Sequence, residues 1–186
     1  FRQILAKRHT QAMETQYADL QDQAMQLDEL IRTALAGQAA LLTQCPNNSL
    51  GNQLKMVARM IGLRNVLGVS RQVFFVRLGG FDTHADQLAF HSQLLSTLAL
   101  ALKAFEDAMA ELGTTSAVTT FTTSEFGRTL GSNGSGSDHG WGGNQMVIGG
   151  AVRGRDLYGA WPSLIVDGAD DVGRGRIIPT TAVEQM

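Results

Sequence analysis

"RQVFFVRLGG", residues 71–80, decides how the rest of the chain is read. Two valines and two phenylalanines stand together, and the run stops at Gly79-Gly80. A short apolar run rich in β-branched and aromatic residues, bounded by glycine, predicts a strand buried on both faces. Downstream, residues 85–112 carry Leu and Ala at helical spacing until Gly113, and "AVTTFTT", residues 117–123, predicts the next strand. Upstream, Leu50, Leu54, Val57, Ala58, Ile61 and Leu63 supply the apolar face of a helix over residues 50–67. Helix, strand, long helix, strand is the rhythm of parallel crossovers. The expected architecture is therefore α/β, a largely parallel sheet flanked by helices. Further strands are expected in "QMVIGGAV", "SLIVDG" and "GRIIPT", with a polar loop rich in Gly and Ser over residues 127–144. Residues 3–36 read as one or two amphipathic helices, so that residues 1–45 form a helical lead-in to a single domain over residues 1–186.

Composition sets limits on function. Of 186 residues, 44% are apolar and 17% charged, which is globular rather than disordered composition. A net charge of −2 without a basic run gives no electrostatic argument for nucleic acid or for an anionic membrane. Cys45 is the only cysteine, which excludes an internal disulfide and a thiolate metal cluster. Neither a signal peptide nor an apolar run of membrane-spanning length is read in the sequence. The chain opens at Phe1 inside a helical pattern and stops at "TTAVEQM" as another helix begins, so a fragment of a longer protein is expected.

Ligands of open α/β sheets gather beyond the carboxyl ends of the strands. The segments expected there are "GGFDTHAD", "SEFGRT" and "GSDHGWGG". Asp82 and His84 stand two apart after a glycine pair, a spacing that lets both reach one ion; the alternative is that Asp82 or Thr83 caps the helix that follows. His91, two turns further along that helix, reads as a supporting or surface residue. Glu125 directly follows an expected strand and would point into the crevice; the alternative is a loop acid paired with Arg128. Arg128 is itself a candidate for holding an anionic substrate oxygen. Ser124 offers a hydroxyl, but no partner base stands nearby to make it a serine-hydrolase nucleophile. Asp138-His139 lies among six glycines, where it is either a ligand pair or a polar turn.

"FFVRLGGFDTHADQ", "FTTSEFGRTLGSNGSGSDHGWGG" and "MVIGGAVRGRDLYG" resemble the bacterial domain-of-unknown-function 1501 family over roughly residues 50–186. Members of that family are similar in fold to the alkaline phosphatase and sulfatase superfamily, and many are exported by the twin-arginine route. The resemblance implies a hydrolase of phosphate or sulfate esters with one or two divalent ions, zinc or manganese, clamping the attacking and leaving oxygens of a small anionic ester. Position by position it implies Asp82, His84 and His139 as metal ligands and Glu125 as the carboxylate of a second ion. Asp138, Arg128 and Ser124 remain metal or substrate candidates. It also implies a periplasmic or surface location. The superfamily's nucleophile lies in an early strand and loop for which residues 1–50 offer no match. The catalytic nucleophile is therefore unassigned, and the alternative is a degenerate, non-catalytic binding or surface protein.

Overall fold

The computed structural model describes residues 11–182. Three helices come first: α1 (Ala12–Gly37), α2 (Ser49–Gly62) and α3 (Gln87–Glu111). Short strands follow: β1 (Thr120–Phe121), β2 (Gly127–Ser132), β3 (Ser137–Gly140) and β4 (Val147–Ile148). β1 pairs with β4 and β2 with β3, both antiparallel.

The core lies between α2 and α3. Leu50, Leu54, Ala58 and Ile61 recur at helical spacing on α2 and are buried against Ala101, Phe105, Ala108 and Met109 of α3. Alanines at 58, 101 and 108 let the two helices approach closely, and Met109 fills the space between them. The Asn48 side chain accepts the Gly51 amide and starts α2. A side chain at Gly51 would stand 2.1 Å from the Pro46 carbonyl oxygen, so only glycine fits that turn. Helix α3 stops at Gly113, which takes the left-handed conformation at φ 64°. By length and mean hydropathy alone α3 would pass for a membrane span, yet its C-terminal half is the core helix of this fold. Helix α1 is mostly exposed, Ala18 being its buried residue, and its end is held by Arg59 donating to the Leu35 carbonyl. The part of the expected lead-in before Gln11 lies outside the described residues.

The expected α/β class does not hold. Among the described residues there is no parallel sheet, and the fold is mostly helical with two small antiparallel pairs. Residues 71–78 join no ladder. The Gln53 side-chain amide takes the place of a neighbouring strand, accepting from the Arg77 amide and donating to its carbonyl, both at 3.0 Å. Val76 and Leu78 pack on the helical core, while Val73 and Phe75 on the opposite side are 95% and 83% exposed. The alternation of a strand is thus present, but one face is covered by helices and the other by nothing described. The expected strand over 117–123 shrinks to two residues, as does that in "QMVIGGAV". "SLIVDG" forms none, and "GRIIPT" contributes one isolated bridge, Asp171 to Ile177. The reverse error is in the expected polar loop: residues 127–140 form the longest strand pair.

Candidate metal centre

Two pieces of chain build the site: the turn at residues 81–86 and the β2–β3 hairpin. In the register Arg128 stands opposite His139 and Gly127 opposite Gly140. The hairpin is crowded at its glycines, since a Cβ at Gly127 would lie 1.8 Å from the Gly142 carbonyl oxygen. At the hairpin tip the Asn133 carboxamide oxygen accepts the amides of Ser135 and Gly136. The tip then docks on the turn: Ser135 accepts from the Asp86 amide, Asn133 donates to the His84 carbonyl, and Ser137 donates to the Gln87 side chain.

Asp82, His84 and His139 converge there. One Asp82 carboxylate oxygen lies 3.0 Å from His84 Nε2 and 2.7 Å from His139 Nε2, and the three ligand atoms all fall within 4.8 Å of one another. Asp82 makes no helix cap, for α3 begins at Gln87 without a side-chain capping bond. Its hydrogen bond with His139 is the main reason that its carboxyl is held below the ordinary value.

Asp138 is beside this trio rather than in it. Its Oδ1 is 3.6 Å from His84 Nδ1, behind the imidazole nitrogen that faces Asp82. Asn133 donates to one of its oxygens and Arg174 to the other, at 3.1 Å each. The Asn133 hydrogen bond leads in lowering the Asp138 carboxyl, and the Arg174 charge acts in the same direction. A carboxylate at the far nitrogen is the usual device for orienting a ligating imidazole.

Arg128 is spent on structure. One guanidinium nitrogen donates to the Ser137 carbonyl at 2.6 Å; the other donates to the Phe81 carbonyl and, at 3.3 Å, to Thr83. Its guanidinium carbon stands 5.3 Å from the Phe126 ring centre. Phe126 in turn stacks on the His139 ring with ring centres 3.9 Å apart and planes nearly parallel. One residue therefore ties the 81–83 turn to the hairpin and steadies both sides of the trio. Sequence reading offered Arg128 either as the partner of Glu125 or as a holder of a substrate oxygen, and did not single out Phe126, Asn133 and Arg174. The residues that hold the trio in place carry no motif of their own.

His84 and His139 of the trio line an open cleft of about 870 Å³, whose lining also includes Ser124, Glu125, Trp141 and Arg176. Glu125, expected at a second ion, is on the cleft wall outside the trio, and among the described residues no second group of three such ligands occurs. The Ser124 hydroxyl donates to the Phe126 carbonyl at 2.8 Å. His91 packs edge-on against Phe81 and supports the turn from below.

The family described as Protein of unknown function (DUF1501) matches residues 2–183, and the chain belongs to it. No curated protein and no solved structure matches the chain.

Proposed function

We propose that this DUF1501 member holds one divalent cation, zinc or manganese, on Asp82, His84 and His139, and hydrolyses a small anionic ester of phosphate or sulfate in the adjoining cleft. The observation that carries the reading is the convergence of three donor atoms from two separately anchored pieces of chain. Two imidazoles and one carboxylate suit either metal and leave coordination positions for a substrate. When bound, such an ion polarises the ester oxygen. The chain's own groups then orient and move protons. Asp138 fixes the His84 ring, Phe126 fixes that of His139, and Arg128 keeps both pieces in register. Of the two carboxylates that line the cleft, Asp138 is paired with Arg174, which leaves Glu125 to accept the proton of an attacking water. The ester specificity rests on the resemblance to phosphatases and sulfatases, as does a periplasmic or surface location, which fractionation of cells producing the protein would test.

The test begins with metal content and zinc titration of the chain purified without chelator. Stoichiometric metal, lost in His139→Ala and Asp82→Asn, is the expected outcome; metal content equal to that of a chelator-stripped control refutes the reading. Turnover of aryl phosphates and sulfates, abolished by Glu125→Gln, completes it. A second reading, a non-catalytic metal-dependent binding protein, is favoured by the engagement of the Ser124 hydroxyl with the Phe126 carbonyl. Tight zinc binding without turnover of any ester would select it.

A further inference from the structure

Three arginines surround the metal centre, and two are committed: Arg128 to the turn and hairpin, Arg174 to Asp138. Arg176 is different. It lines the cleft, and among the described residues its guanidinium makes only a 3.5 Å approach of Nη1 to the Gly173 carbonyl, at the outer limit of a hydrogen bond. Among the described residues no carboxylate lies within ion-pair distance of it, and none of them accepts from the remaining donors of its planar fork.

Its support is rigid nonetheless. The Arg176 amide donates to the Gly173 carbonyl, its own carbonyl accepts from the Val172 amide, and Ile177 beside it is buried. The Asp171 carboxylate gathers the amides of Asp167, Gly173 and Gly175 and closes the turn from which Arg176 projects. The cleft also holds Trp141, 62% exposed, one residue beyond the β3 end that carries His139. A large indole in the wall of a polar cleft is a flat apolar platform that a ring can cover.

We propose that Arg176 and Trp141 form the substrate subsite of this cleft: the Arg176 fork grips the free oxygens of a tetrahedral oxyanion, and Trp141 stacks on the flat ring to which that oxyanion is esterified. The assignment rests on the metal reading for the identity of the third contact, the ion on the trio. It names the substrate class as an aryl or similarly flat monoester of phosphate or sulfate. Asp138 is neutralised by Arg174, so a dication together with Arg176 outweighs Asp82 and Glu125, and the cleft attracts an anion.

Calorimetric titration of the full chain tests this with inorganic sulfate, methyl sulfate, phenyl sulfate and phenyl phosphate, each with and without zinc. Arg176→Gln is expected to weaken inorganic sulfate binding by about ten- to a hundredfold, the usual worth of a charge-assisted fork, with zinc affinity unchanged. Arg176→Lys should restore part of the loss. The parent should prefer phenyl over methyl sulfate, and Trp141→Ala should erase that preference while leaving inorganic sulfate binding intact. The ratio of phenyl phosphate to phenyl sulfate affinity separates the two ester types. Sulfate affinity that is equal in Arg176→Gln and the parent overturns the assignment, as does absence of sulfate binding in both zinc conditions. A parent that fails to bind zinc overturns the metal reading instead, and the zinc-free titrations still decide the role of Arg176.

Discussion

Replacing Arg128 by Met keeps much of the side chain's volume and removes everything polar that it does. Three hydrogen bonds are lost, to the Ser137 and Phe81 carbonyls and to the Thr83 hydroxyl, together with the contact on the Phe126 ring. Hydrogen bonds from a charged donor contribute about 1.5–3 kcal/mol each where both groups are dry. Arg128 is half-buried, so water replaces part of each bond, and about 2–4 kcal/mol for the whole set is a fair expectation. The set joins the turn bearing Asp82 and His84 to the hairpin bearing His139, so the loss falls on the spacing of the three donor atoms. If about 1.4–2.8 kcal/mol of it is required to keep them together, zinc affinity drops about 10- to 100-fold, the range for residues that orient metal ligands. Zinc titration by calorimetry, paired with a thermal melt of the metal-free protein, measures both. Arg128→Lys keeps the charge but cannot bridge two carbonyls, and its affinity should fall between parent and Met variant. An Arg128→Met protein that melts lower yet binds zinc within about twofold of the parent would refute the argument, since the trio would then hold its spacing without the bridge.

Met109→Ala empties the fully buried space between α2 and α3, and should cost about 2–5 kcal/mol in a urea melt without altering zinc affinity per folded molecule. Gly127→Ala sets a methyl group 1.8 Å from the Gly142 carbonyl oxygen, so the hairpin must shift; about 1–3 kcal/mol of destabilisation with weakened zinc binding is expected, because His139 sits across the same strand pair. The Glu111 carboxyl is held below its ordinary value by the Thr43 hydroxyl first and the amides of Leu42 and Thr43 next. A depressed carboxyl contributes stability above its unfolded pKa and loses it as pH falls through the folded value. The melting temperature of Glu111→Gln should therefore lie below that of the parent at neutral pH. The gap should begin to close near the ordinary Glu value of about 4.3 and vanish in stronger acid; a gap independent of pH would contradict the assignment.

The parts of the structure that were legible in the sequence are those fixed by near neighbours. The buried face of α2 follows from Leu50, Leu54, Ala58 and Ile61 alone, and the end of α3 from Gly113. Asp82, His84 and His139 were legible because those residue types at the ends of apolar segments carry their chemistry in their letters. The residues that position them were not. Nothing in "EFGRT" states that Phe126 faces an imidazole, that Arg128 bridges two carbonyls, or that Arg174, 36 residues beyond Asp138, pairs with it. Those facts depend on a hairpin register that the six glycines of the loop conceal, since a glycine-rich polar stretch has no alternation by which to recognise strands.

The failure over residues 71–78 has a different cause, and it bears on how such runs are read. Alternation of side chains states which faces are to be covered; it does not state by what. Val76 and Leu78 meet α2 and α3, and Gln53 supplies to Arg77 the hydrogen bonds that a strand would. Helices thus satisfy one face and one polar edge of a segment whose composition suits a sheet interior. On the other face, Val73 and Phe75 share the exposure of Phe121 and Val147 on the β1–β4 pair, at 64% and 49%. The segments that resemble buried strands in sequence thus keep some apolar side chains that the described residues leave uncovered. The trio is insensitive to this, because its two supports meet through Arg128, Asn133 and Ser135 rather than through a shared sheet. That is why the three converging residues could be located from a parallel sheet that these residues do not form: each was inferred from its own segment, and side-chain hydrogen bonds carry most of the junction between the segments.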